Sequence, residues 1–345
     1  MKKLYKLSLA LIGSVIALSA CSDWTDTEIK DPADLVNAEK TPEYYQKLRE
    51  WKKTDHQVTF GWFGGWVGNG LSQEHSLRGL PDSVDLVSIW GNFKNLDDAR
   101  KADLKYAQEV KGIKVMFCYI VDNVGAQLTP EGEDESFWGA TDSIRIVNYA
   151  NAICDTIDKY GYDGFDYDYE PNYGHYGNIS GNPWAERIFV RTLSKRIGPL
   201  SGTGKLLCID GEPQTIASDL GECFDWFIVQ AYNCGSDANL DWRIGRTINN
   251  FDGYLTPAEV AKKYIITENF ENYALLGGVN YTDRYGNSMK SLEGMARYVA
   301  AYKGQQLRKG GVGTYHMEYE YIVSGYDETY PFLRKAIQIM NPQIN

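Results

Sequence analysis

Eight short runs of aliphatic, β-branched and aromatic residues recur along the chain from Val58 onward, each followed by a longer stretch of different periodicity. This alternation limits the possible folds more than any other feature. The runs are Val58–Phe63, Leu86–Trp90, Lys114–Ile120, Gly164–Glu170, Lys205–Asp210, Asp225–Tyr232, Tyr264–Glu268 and Gly313–Met317. Between them, apolar residues fall at helical spacing over Leu96–Val110, Ser143–Lys159, Trp184–Ile197, Thr256–Lys263, Ser291–Tyr302 and Pro331–Met340. A strand that must return by way of a helix pairs in parallel with its neighbour. Eight such units without strand-to-strand hairpins predict an α/β fold, a single (β/α)8 TIM barrel. An open doubly wound sheet is the alternative. It usually carries a glycine fingerprint after its first strand, and Gly61, Gly64, Gly65, Gly68 and Gly70 do not match G-x-G-x-x-G.

The barrel is expected over residues 56–345, behind a leader (1–20) and a tether with a short helix (21–55). Lys2, Lys3 and Lys6 precede the apolar run Leu7–Leu18, which is of signal-peptide length and short for a membrane span. Leu18-Ser19-Ala20-Cys21 then looks like a bacterial lipobox, with Cys21 as the lipidated new N-terminus. The polar, acidic stretch that follows (Ser22, Asp23, Asp26, Glu28, Asp31) suits a tether. It also resembles the export signal of surface-exposed lipoproteins. The expected location is therefore the outer membrane, facing outward, with the periplasmic face as the alternative and membrane contact only through the lipid. Thr41-Pro42-Glu43 reads as a helix start, with Thr as N-cap and Pro at the first helical position.

Loss of three leader lysines takes the formal net charge from −11 to −14. So acidic a chain repels nucleic acid and anionic lipid, which argues against both as partners. The cysteines after Cys21 are odd in number and lack C-x-x-C spacing, so neither a disulfide framework nor a zinc site is indicated. Cys118 and Cys208 lie in apolar runs and read as small core residues. His56, His75, His175 and His316 show no ligand spacing. No metal or other cofactor is expected, and a monomer is.

The segment Asp163-Gly164-Phe165-Asp166-Tyr167-Asp168-Tyr169-Glu170 carries the chemistry. On a strand, Asp166, Asp168 and Glu170 share one face, and Phe165, Tyr167 and Tyr169 share the other. The aromatic face suits packing under helices, which turns three carboxyls into the barrel and toward its C-terminal rim. Burying three acids in a row is costly, and they cannot all ionise, so at least one pKa must rise. A carboxylic acid kept protonated at a strand tip is what protonation of a glycosidic oxygen needs. Two other readings stay open on these residues alone: a site for a hard cation, and a solvated acidic face.

The spacing Asp163-x-x-Asp166-x-Asp168-x-Glu170 resembles the D-x-x-D-x-D-x-E signature of glycoside hydrolase family 18, on the fourth strand where that family carries it. The resemblance implies that Glu170 protonates the leaving oxygen and later activates water. It implies that Asp168 orients the substrate's 2-acetamido group, whose carbonyl oxygen attacks the anomeric carbon, while Asp166 shares a proton with Asp168. Asp163 is then structural. At the sixth strand, Gln230-Ala231-Tyr232-Asn233 stands where chitinases of the family usually show M-x-Y-D. This variant looks like the endo-β-N-acetylglucosaminidases, which cut the chitobiose core of N-glycans, and implies that Gln230 and Tyr232 bond the acetamido group.

Asn233, Tyr315, Trp62 and Trp90 complete the expected substrate-binding set. Trp66, Tyr119, Glu212 and Asn269 are weaker candidates at strand ends, and the loop Pro171–Trp184 is expected to line the cleft. The partners implied are N-glycans or other GlcNAc-containing oligosaccharides. Three rivals stand beside this reading. They are a chitinase or chitooligosaccharidase, a non-catalytic glycan-binding barrel, and a metal-dependent phosphodiesterase, which would want histidines at strand ends.

Overall fold

A computed structural model describes residues 40–70 and 72–342; the leader and Cys21 lie outside these residues. Among the described residues no helix is long and apolar enough to cross a membrane. Eight parallel strands close into a barrel, as expected. They are β1 (Val58–Phe63), β2 (Leu86–Trp90), β3 (Lys114–Ile120), β4 (Gly164–Tyr169), β5 (Leu206–Gly211), β6 (Trp226–Gln230), β7 (Tyr264–Asn269) and β8 (Gly311–Tyr315). Each pairs with its sequence neighbours, and β8 closes on β1 through Val58↔Gly311 and Gly61↔Thr314.

Period-two alternation sorts the strand side chains into two cores. Phe60, Trp62, Met116, Cys118, Cys208, Ile228 and Ile265 fill the barrel. Phe165, Tyr167 and Tyr169 face outward and pack under the helices with Tyr149 and Phe189. The five described cysteines are all buried and unpaired, and Cys118 and Cys208 lie in the inner core. Thr41 caps the helix Pro42–Trp51, its side chain accepting from Tyr44 N, and Tyr45 and Leu48 pack inward.

The structure corrects several element limits. Strand β4 stops at Tyr169 and β6 at Gln230, so Glu170 and Tyr232 sit just past their strands. Strand β8 begins at Gly311 and ends at Tyr315, and Met317 starts a short helical turn. The predicted helix Ser291–Tyr302 ends at Arg297, and Ala300–Tyr302 pairs antiparallel with Gln305–Leu307. A second hairpin joins Asn280–Thr282 to Ser288–Lys290, so the chain does contain strand-to-strand hairpins outside the barrel. The helix Asp237–Asn250, capped by Ser236, was missed because Asn239, Asn249 and Asn250 dilute its propensity.

Candidate active site

Asp166 and Asp168 point into the barrel and are 0% and 3% exposed. Asp166 accepts a hydrogen bond from Trp62 Nε1 at 3.0 Å, so the inner face of β1 supports the acid of β4. Burial pushes the Asp166 carboxyl up to about 6, and nearby Ser88, Asp210, Trp62 and Cys118 oppose the shift. Asp168 is pushed well above the usual carboxylate range, by burial first and then by the charges of Glu170 and Asp166. Its Oδ1 is buried and, among the described residues, has no hydrogen-bond partner. Asp163, at the foot of the strand, accepts from Gln108 Nε2, Lys114 Nζ and Val115 N at 2.7–3.0 Å, a structural clamp.

Glu170 caps the short turn Pro171–Tyr173 with φ −132° and ψ 53°, outside strand geometry. This turn aims its carboxyl into a cleft of about 420 Å³, lined also by Tyr173, Glu212, Gln230, Tyr232, Trp242, Arg243 and Arg246. Burial raises its pKa; a hydrogen bond from Gln230 and the nearby His175 work the other way. Gly211 makes room for it. Its φ is +81°, and a Cβ there would lie 2.8 Å from Glu170 Cγ.

Three predicted binding residues converge on the ring of a fourth. Tyr315 lies 6.1 Å from Trp62, 6.0 Å from Trp90 and 6.0 Å from Tyr232, centroid to centroid. The Tyr232 hydroxyl is held protonated by burial and then by the charges of Asp210 and Asp168. Gln230 Nε2 donates to Asp210 Oδ1 at 3.1 Å, and the same side chain bonds Glu170. Its amide thus holds two carboxyls.

Other candidates fall elsewhere. Asn233 is exposed and left-handed (φ 58°), a turn residue whose N–H donates to the buried Glu268 at 3.0 Å. Trp66 donates to Asp103 at 2.8 Å and Tyr119 meets the Tyr149 hydroxyl at 3.1 Å, both within the outer core. Asn269 caps a short helical turn. Glu212 stands in the cleft, tied to Asn172 N at 2.8 Å and Asn172 Nδ2 at 3.1 Å.

The sequence reading missed Asp210. It is directly opposite Asp168 in the β4–β5 register and 1% exposed. The same alternation that placed Asp166 and Asp168 inside would have found it, because Cys208 and Asp210 share the inward face of β5. Cys118, Asp168 and Asp210 each bring one atom to within 4.8 Å of the others. A soft thiol beside two hard carboxyls, with no imidazole, suits neither zinc nor magnesium or calcium. The group reads instead as carboxyls that share protons.

The comparisons with known proteins agree with this geometry. Residues 23–339 match the model for glycoside hydrolase family 18, BT1044-like. This chain belongs to glycoside hydrolase family 18. It is 37% identical to a solved selenomethionine structure of BT1044 bearing a glutamate-to-glutamine change, with a TM-score of 0.78 over 89% of this chain and 97% of that one. It is 25% identical over 315 residues to endo-β-N-acetylglucosaminidase F2 of Elizabethkingia meningoseptica, covering 86% of this chain and 85% of the relative. An endo-β-N-acetylglucosaminidase from Cordyceps militaris shares the fold, at 22% identity and a TM-score of 0.61 over 89% and 99% of the two chains. A glycoside hydrolase of this family, the protein is related to an endo-β-N-acetylglucosaminidase, and it shares its fold with a chitinase from Pseudoalteromonas aurantia at 13% identity and a TM-score of 0.50 over 82% and 99% of the two chains.

Proposed function

We propose that this hydrolase cleaves the GlcNAc-β-1,4-GlcNAc bond in the chitobiose core of N-glycans, with retention and with the substrate's acetamido group as nucleophile. The observation that carries the reading is the placing of Tyr232. It belongs both to the aromatic group around Tyr315, which feels the Asp168 charge, and to the cleft that Glu170 lines. The aromatic group receives the sugar whose bond breaks, and the cleft receives the GlcNAc left on asparagine. The named activity of the F2 relative supports the same substrate.

In this account Glu170 gives its proton to the bridging oxygen as the C1–O bond breaks. The acetamido oxygen attacks C1, and the Asp168 carboxylate accepts the acetamido N–H. Ionised Glu170 then takes a proton from the water that opens the oxazolinium ring. Glu212 makes a poor nucleophile in this scheme, because both its oxygens already accept from Asn172. Gln230, which lines the cleft and bonds Asp210 and Glu170, steadies the acid.

The test compares a defined biantennary N-glycopeptide with chitotetraose. The kcat/KM for the glycopeptide should exceed that for chitotetraose by about 10²-fold, equivalent to ~2.7 kcal/mol of transition-state binding, and should survive EDTA. The reverse preference would make the enzyme a chitinase, and loss of activity in EDTA would bring a metal back into the mechanism.

A further inference from the structure

We propose that Asp210 is a positioning residue that stays protonated in the working enzyme and donates its O–H to the Asp168 carboxylate. The inference rests on the hydrolytic reading above and adds to it a residue outside the D-x-x-D-x-D-x-E segment.

Three features of the geometry lead there. Asp168 and Asp210 are direct cross-strand partners on the inward face of β4 and β5, an arrangement that two charged carboxylates would make repulsive. The groups facing Asp210 are Cys118 from β3, Asp166, Asp168 and Glu170 from β4 and its end, and Gln230 and Tyr232 from β6 and its end. No cationic side chain is among them. Finally, a carboxyl oxygen of Asp210 lies within 4.8 Å of one of Asp168, and hydrogen bonding with Asp210 works against the rise in pKa of both Asp166 and Asp168. Two carboxylates cannot bond each other, so such an approach becomes a hydrogen bond only when one of them carries a proton.

The surroundings decide which one. Asp166 has the Trp62 N–H to stabilise its anion. Asp168 must accept the acetamido N–H and is most useful ionised. Asp210 is fully enclosed, and receives only the Gln230 amide at 3.1 Å and the weak Cys118 thiol at 3.4 Å. Burial raises its pKa well above the ordinary range, reinforced by the charges of Asp168, Asp166 and Glu170. A carboxylic acid kept neutral by its site, so that it can donate, is a known catalytic device.

The account separates the asparagine variant from the valine variant. Asp210→Asn keeps a donor in the same place, so kcat should stay within about tenfold of wild type, with the acid limb of its pH profile unmoved. Asp210→Val removes the donor. The Asp168 carboxylate loses a hydrogen bond, its pKa rises, and the acid limb should move up by about one pH unit, with kcat down on the order of 10²-fold. A role confined to packing would leave the acid limb in place.

A second readout does not depend on activity. A carboxyl whose pKa is higher folded than unfolded stabilises the fold at low pH, and that contribution is lost as pH rises through the folded pKa. Wild-type Tm should therefore fall as pH rises above the ordinary Asp range, and both substitutions should flatten that slope.

The experiment measures kcat against pH on the N-glycopeptide, and Tm against pH, for wild type and both variants. Asparagine rescue, the valine shift and the flattened slopes together support the proposal. It is overturned by a folded valine variant with the wild-type acid limb, by an asparagine variant as impaired as the valine one, or by an unchanged Tm slope. If the valine variant does not fold, the asparagine variant decides through its slope. If wild type does not cut the glycopeptide, the proposed substrate falls, and the slopes still decide whether Asp210 holds a proton.

Discussion

Replacing Glu170 with glutamine should lower kcat by about 10²- to 10⁴-fold, the usual contribution of a positioned acid–base group, while leaving KM close to the wild-type value. Glutamine keeps the shape of the protonated acid and its place beside Gln230 but has no proton to give. The fold should not suffer. Burial raises the Glu170 pKa, so the side chain favours folding most at low pH and loses that contribution as pH rises. A permanently neutral glutamine escapes the loss, so the variant's Tm should match wild type in acid and hold up better above neutrality. Steady-state kinetics with thermal melts across pH check both halves. Near-normal turnover by the folded variant would remove Glu170 from the chemistry.

Asp168→Asn should give the second largest loss, on the order of 10²-fold in hydrolysis, for a different reason. The carboxylate is asked to accept the acetamido N–H and to favour the oxazolinium that forms. An amide at this position is uncharged, and its carbonyl is a weaker acceptor than a carboxylate. The defect should therefore be confined to ring formation. A preformed glycan oxazoline has already passed that step, and Glu170 remains to take the proton from an incoming acceptor. The variant should thus transfer glycan from oxazoline onto a GlcNAc-bearing peptide while hydrolysing the product only slowly. No transfer by a folded variant that binds glycan would count against acetamido participation.

The barrel was readable in the sequence because each strand is a short apolar run set off from an amphipathic helix, and the two periods differ. The D-x-x-D-x-D-x-E segment was readable because aromatic and acidic residues alternate without a break, fixing which face turns inward. What escaped the reading depended on pairing between segments. Asp210 ends a mostly apolar run, where alternation turns it inward with Cys208, and the Asp168↔Asp210 register shows which cluster it completes. The family resemblance points Gln230 at the substrate, and its hydrogen bonds to Asp210 and Glu170 are visible only in the folded barrel. Asn233 was grouped with its neighbours by motif, whereas its left-handed backbone gives it a turn's work. Trp66 and Tyr119 went astray because a strand end offers an aromatic residue two faces. Hydrogen bonds to Asp103 and Tyr149 hold them on the outer one.

The central claim is that one particular bond breaks by a particular route, and isotope labelling with a defined N-glycopeptide tests it directly. In H₂¹⁸O, one labelled oxygen should enter at C1 of the released glycan, which should first appear as the β-anomer. The peptide should keep a single unlabelled GlcNAc on its asparagine. Label in an aspartate formed from that asparagine, or a product that first appears as the α-anomer, would contradict the account.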